Sequence, residues 1–340
     1  MAKRVEWVDM AKAIGMIAVV LGHAIHPLVA DPKMSTAFSV IYWWHMPLFF
    51  IIGGFFLKPL KQTWPGFRHF IKRRIVPNLK SYFFAGSILI LISHFVRGHS
   101  WTYTAFYFVR LVYGGQTLNH DLSIFWFMTV YILTVIAVEL IITWVKSIPA
   151  QFFIALTLYM TGMTYKHMEF FQYKYLPWDA DIVLLTTLYM LCGYYGFKYY
   201  DKIPHKNYLI VATMAIYAVL IIAKYRGILR FSLYLKSHNI ANSFLGLFIP
   251  LIVCFMIFMV SDWLMKIGGI FRWLLPFGWY SSAIMYMHKL ILDSFAIVSA
   301  LNHWEIQWVA GLIIPVLIAM TYRKFRVARA IRREANTPGS

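Results

Sequence analysis

The sequence predicts an all-α polytopic membrane protein with about ten transmembrane helices, and three observations carry that prediction. Of its 340 residues 61% are hydrophobic and only 13% charged, where a soluble domain carries about 25% charged residues. The mean hydropathy is +0.64. Apolar runs near the roughly 20 residues needed to cross a bilayer recur along the chain, and each is too long and too evenly apolar for a barrel strand.

The first run centres on 13–30 and the second on 37–56. Glu6, Asp9 and Lys12 interrupt the approach to the first, and no small-x-small cleavage pattern follows it, so it reads as a retained span rather than a signal peptide. The second contains Pro47 and the pair Gly53 and Gly54, which break regular packing and allow a cavity between helices. Further runs centre on 81–96, 124–144, 152–164, 182–199, 208–223, 241–260, 277–298 and 306–322, the third, fifth and seventh of the ten being shortest. With no soluble stretch and no internal repeat, residues 1–335 read as a single transmembrane domain and 336–340 as a disordered tail. Cys192 and Cys254 lie inside apolar runs and suggest neither a disulfide framework nor a metal site.

The formal net charge of +19 could point to nucleic acid, but its distribution argues against that partner. With the N-terminus inside, 21 of the 32 lysines and arginines fall in cytoplasmic segments and nine in outer ones. This asymmetry is the positive-inside rule, and it predicts a multi-pass protein of the cell membrane with both termini cytoplasmic. The charge also attracts anionic lipid head groups. One segment runs against the rule: 224–240 carries Lys224, Arg226, Arg230 and Lys236 on the predicted outer side.

Within this frame, the polar residues of the spans are the candidate site. Read as a helix, the first span places Lys12 and His23 eleven residues apart, close to three turns, on one stripe and roughly 16 Å apart along the axis. Asp9 lies on nearly the same stripe, and Gly15 and Gly22 permit close approach. Lys12 alone reads as a cation snorkelling to the cytoplasmic head groups. His23 lies deep, where ionisable groups are costly and usually line a pathway or a site. His26, nearer the interface and followed by Pro27, reads as structural. His45 enters its span from the outer side and reaches a depth similar to His23. Two imidazoles at one level suggest proton handling or metal binding; metal is the weaker option, because no third ligand has the right spacing. Just inside follows "FRHFIKRRIVPNLK", with Arg68, Lys72, Arg73, Arg74 and Lys80. This cluster serves equally as a topological anchor and as an anion site whose guanidinium groups suit phosphate, such as that of a nucleotide-bearing thioester.

Together these motifs resemble the membrane acyltransferase 3 family, which includes the O-acetyltransferases of bacterial surface polysaccharides and peptidoglycan. The resemblance rests on Asp-x-x-Lys and the basic-x10-His pair Lys12 and His23 within the first span. It continues in "WWHMPLFFIIGGFF", in "KRRIVP", in "IFWFMTVYIL" at 124–133 and in "FGWYSSAIMYMHKLIL" at 277–292, so it covers nearly the whole chain. It implies a ten-span enzyme passing an acyl group, usually acetyl, from cytoplasmic acetyl-CoA to a hydroxyl of a glycan or lipid-linked saccharide outside, with no metal. The family's proposed catalytic pair maps onto Lys12 and His23, with His23 either a general base or an acyl carrier, His45 orienting it or shuttling its proton, and Asp9 paired to Lys12. Lys12, Lys72, Arg73 and Arg74 would hold the diphosphate of the donor; the family often has Arg-x-x-Arg where this chain has three consecutive cations. In "YMHK", Tyr286 and His288 match a tyrosine-and-histidine segment, for which an acceptor-site role and a packing role both stand, and Asp293 is placed to neutralise Lys289. Some members carry an extra hydrolase-like domain, whereas this sequence ends soon after its last predicted span.

The outer segments 99–123 and 164–181 hold Trp101, Tyr103, Tyr107, Tyr165, Tyr173, Tyr175 and Trp178, read as an interfacial aromatic belt before a sugar platform. A transporter or flippase is the competing function class; the missing repeat and the concentration of polar groups in the first two spans speak against it.

Overall fold

The computed structural model describes residues 4–164 and 176–335; the tail 336–340 and Tyr165, Tyr173 and Tyr175 lie outside them. Among the described residues the only strands are β1 (Leu233–Tyr234) and β2 (Asn239–Ile240), a short antiparallel hairpin. Everything else of regular form is helical, as the composition requires of a chain whose backbone must satisfy itself in lipid.

A helix answers to each of the ten predicted runs: α1 (Glu6–Ile25), the bent pair α2 (Pro32–Tyr42) and α3 (His45–Phe55), α5 (Val76–Arg97), α7 (Trp126–Trp144), α8 (Ile148–Thr164), α9 (Ile182–Tyr199), α10 (Lys206–Tyr225), α11 (Ser243–Lys266), α13 (Ser281–Phe295) and α14 (Trp304–Ala335). Eight of these stretches are long and apolar enough to cross a membrane. The others are α8, whose 17 residues span about 26 Å at 1.5 Å per residue, and α13, whose 15 residues include Lys289 and Asp293. The third run is much longer than its apolar core. The short helix α4 (Trp64–Phe70), a π-helical turn at Ile71–Ile75 and α5 form one helical stretch through the basic cluster.

Segment 99–123 is not simply a loop. It holds α6 (Trp101–Tyr113), started by the Ser100 hydroxyl accepting the Tyr103 amide at 3.2 Å. Thr104, Tyr107 and Leu111 are buried, while Trp101, Phe106, Val109 and Val112 face outward, the pattern of a helix lying in the membrane interface. Another short helix, α12 (Leu275–Trp279), precedes α13.

Helix α1 is among the most buried spans. Of its most apolar stretch 72% is buried, the same as for the span 120–144 and close to the 78% of 32–55, against 6% for α10, so α1 faces mostly protein rather than lipid. Glycines set the closest approaches. A Cβ on Gly278 would lie 1.9 Å from the Asp9 carbonyl, and a Cβ on Gly193 would lie 1.9 Å from the Ile51 carbonyl. These two contacts lock α12 onto the start of α1 and α9 onto α3.

The chain segments sort to two ends. Arg272 reaches Glu6 at 3.0 Å, and Arg74 donates to the Phe56 carbonyl, which gathers the basic segments at one end. At the other, Lys236 donates to the carbonyls of Leu118 (3.1 Å) and Ser123 (2.8 Å), and His238 meets Asp181 at 2.8 Å. The exceptional segment 224–240 therefore folds against 118–123, at the end opposite the basic cluster. Backbone carbonyls absorb two of its cations, since Lys224 also donates to the Phe231 carbonyl at 3.1 Å.

Candidate active site

On α1, the Lys12 ammonium lies 3.4 Å from Asp9 Oδ1, and the other oxygen of Asp9 is buried without a partner. Lys12 lines a cavity of about 220 Å³ at the end of the basic cluster, named the inner cavity for that end alone, together with Arg74, Asn78, Tyr131, Ser281 and Ser282. Three turns further along, His23 lines an outer cavity of about 370 Å³. The stripe expected from the 3.6-residue period thus serves two different chambers.

His45 also lines the outer cavity, and its placement follows from a break in the second span. Regular helix stops at Tyr42 and resumes at His45, with Trp44 at φ −136°, ψ −26°; Pro47 has no amide with which to continue the ladder. Near the break, the His45 side chain takes up a backbone acceptor, its Nδ1 lying 2.9 Å from the Ile41 carbonyl. A carbonyl only accepts, so Nδ1 carries the hydrogen and, in the neutral ring, Nε2 presents its lone pair.

A third imidazole joins them from the far end of the chain. The His288 ring centre lies 5.2 Å from that of His23, and its Nδ1 is 2.7 Å from the Ile284 carbonyl. By the same logic Nε2 of His288 is an acceptor, and it is buried with no hydrogen-bond partner. The packing of α14 sets this level: a Cβ on Gly311 would meet Val20 of α1 at 2.8 Å and Leu292 of α13 at 2.6 Å, and Trp308 donates to the Ile17 carbonyl at 3.1 Å. Sequence separation conceals such a neighbour; the signal was a histidine on a buried helix face within "YMHK". Tyr286 points elsewhere, its ring 5.1 Å from Phe125 and its hydroxyl buried and unpartnered. Among the described residues no group of three His, Cys, Asp or Glu side chains could hold a metal ion.

At the basic end, the cluster 71–75 is π-helical because Pro77 supplies no amide for the preceding turn. Arg73 and Arg74 both line a cavity of about 620 Å³ with Lys58, Lys61, His69 and Glu139. Arg74 belongs to this cavity and to the one lined by Lys12. Lys72 lines neither and is exposed. Of the four cations expected to hold a donor, three are therefore brought together.

The outer rim contains residues that the sequence did not single out as a site: Tyr42, His120, Trp126, Tyr234 and Lys236. Lys236 is mostly buried, and burial pushes its ammonium down to about 8, with Asp179 opposing and Lys289 adding to the shift. Lys289 lines the cavity too, paired with Asp293. Arg97 clamps Asp121 with two hydrogen bonds, at 2.7 and 3.0 Å, and lies 3.8 Å from Asp293, so one charge network ties α5 and the segment before α7 to α13.

Four helices line both the inner and the outer cavity. Above stand His23 on α1, Met46 on α3, Trp126 on α7 and Lys289 on α13; below stand Met16, Phe49, Phe127 and Met285 on the same helices. Between the two sets the spacing is seven residues on α1, three on α3, one on α7 and four on α13, so the partition between the chambers is thin. The arrangement offers cations on one side of a thin apolar partition and imidazole bases on the other.

No curated protein and no solved structure matches the chain at a significant level. One family model does, described as an acyltransferase domain, and it spans residues 5–324. With nearly its whole length matched, this membrane-spanning chain belongs to the acyltransferase 3 family.

Proposed function

We propose that the protein is an integral membrane O-acyltransferase that carries an acetyl group from cytoplasmic acetyl-CoA to a hydroxyl of a cell-surface glycan or its lipid-linked precursor. The observation that carries this reading is the pair of back-to-back cavities. One is lined by Lys12 and Arg74, and the other by His23 and His45. Phosphate is a natural partner for the first, because guanidinium donates to it in a bidentate fork. The second suits removal of a proton from a hydroxyl.

In this reading the diphosphate of the donor docks at Arg73, Arg74 and Lys12, and the thin arm carries the thioester across the partition toward His23. His23 accepts the hydroxyl proton as the acceptor oxygen attacks the thioester carbonyl. The tetrahedral adduct collapses with cleavage of the carbon–sulfur bond, and the imidazolium returns the proton to the departing CoA thiolate. His288 acts through His23 as a positioning residue. Its buried Nε2 is suited to receive the remaining N–H of His23 and so to fix which ring nitrogen stays basic. His45 offers a second lone pair at the same cavity for relaying the proton. Lys72 has no part in donor binding in this scheme.

Protein reconstituted in lipid and given acetyl-CoA labelled in its acetyl group tests the reading. Free CoA and a labelled saccharide are the expected products, both lost in His23→Ala. Passage of an unmodified saccharide across the membrane with the thioester intact would contradict it.

A further inference from the structure

A further cavity lies away from both chambers and has a different chemistry. It is a groove of about 320 Å³ between α3, α9 and α11, within the range of small-molecule sites. Its walls are almost wholly apolar. Trp7 stacks on Tyr200 with ring centres 4.5 Å apart, Phe55 stacks on Phe197 at 4.9 Å, and Phe258 closes edge-on to Phe55 at 5.1 Å. Gly196 forms part of the wall, and a Cβ added there would meet nothing within 4 Å. The open space extends to that backbone.

Charge gathers at the foot of this groove. Tyr200 belongs to the wall at the turn where α9 gives way to α10; next to it, Lys198 and Lys202 stand 5.9 and 5.5 Å from the ring centre of Tyr199. The Lys206 ammonium sits 3.8 Å from the Tyr200 ring centre. It is also 3.8 Å from Asp262, which Lys266 approaches at 2.9 Å, so two ammonium groups share one carboxylate. Trp7 and Tyr200 place this foot at the same end as the basic cluster 58–80. A hydrocarbon-lined groove ending in lysines at the inner interface complements a molecule with an apolar tail and an anionic head.

The geometry points to a specific site for one anionic diacyl phospholipid of the inner leaflet, with an acyl chain in the groove of α3, α9 and α11 and its phosphate at Lys202 and Lys206. This site is separate from the acyl-transfer chambers, and it stands or falls independently of the proposed reaction. Occupancy would brace Trp7 at the root of α1, the helix that bears Lys12 and His23.

Native mass spectrometry of the purified protein with phosphatidylglycerol and phosphatidylcholine tests this. The wild type should retain one phosphatidylglycerol at least fivefold more than phosphatidylcholine. Gly196→Phe, which fills the groove, should cut that retention fivefold or more, and Lys202→Gln/Lys206→Gln should remove the preference for phosphatidylglycerol over phosphatidylcholine. Equal retention of both lipids by the wild type overturns the site. So does retention of phosphatidylglycerol by Gly196→Phe at the wild-type level, because the bound lipid would then lie elsewhere. Should Gly196→Phe fail to fold, Gly196→Leu supplies the same comparison.

Discussion

The two chambers around α1 solve opposite problems. The inner one is lined by long cations, Lys12 and Arg74, and Arg74 also lines the wider basin of Arg73 and Lys58. Each has a protein partner, Asp9 for Lys12 and the Phe56 carbonyl for Arg74, while Arg73 is exposed. The outer one is lined by His23 and His45; the Ile41 carbonyl holds the His45 ring, and the Ile284 carbonyl holds His288 beside His23. In the proposed reaction, affinity for the donor and the chemical step therefore fall to different ends of one bundle. Substitutions in the two chambers should therefore be separable in kcat and KM.

The largest effect belongs to the outer chamber. His23→Ala should lower kcat by about 10²–10⁴-fold, the share usual for a positioned acid–base group, with insertion and abundance unchanged by quantitative blotting. Near-normal turnover would erase the distinction between the chambers. Next is His288→Ala. Loss of the acceptor behind His23 should lower kcat by roughly tenfold to a hundredfold, the equivalent of about 1.5–3 kcal/mol, at unchanged donor KM. His288→Asn, whose side-chain oxygen also accepts, should restore part of the rate, which repair of packing alone would not do.

Inner-chamber changes should move affinity instead. Arg73→Ala/Arg74→Ala is expected to raise the donor KM and weaken free CoA binding by about 1–3 kcal/mol per lost charged hydrogen bond. Lys72→Ala, exposed and outside the cavities, should leave both unchanged. Titration calorimetry with CoA distinguishes these variants, and an equal loss in Lys72→Ala would mean that the cluster acts only as a diffuse positive surface.

The smallest effect concerns Lys236. Its folded-state value of about 8 lies below that of an exposed lysine. Between about 8 and 10.5 the unfolded chain holds a proton that the folded chain has released, so stability rises with pH across this window. Lys236→Met should flatten that rise in melting temperature and leave the curve below pH 7 parallel to the wild type.

The features that the sequence revealed are those carried by a single helix. Lys12 and His23 are related by helical period alone, and ten apolar runs sufficed to locate ten helices. His288 is different: 265 residues from His23, it arrives through the packing of α13 and α14 at Gly311, which no local pattern encodes. The same holds for Lys236, whose hairpin reaches the outer cavity by bonding to carbonyls of 118–123. Helix α6 was hidden for another reason. Its period-3.6 face is built from Thr104, Tyr107 and Leu111, too mixed in polarity to stand out from the aromatic residues around it.

In the proposed reaction the acyl group crosses the membrane within one bundle while its two substrates stay on opposite faces. Sealed vesicles bearing the protein in one orientation, with the basic face outward, measure this directly. Acetyl-CoA supplied outside should acetylate an impermeant saccharide acceptor trapped inside, and reversing the two substrates should give no product. Acetylation with both substrates confined to the same face would contradict the account.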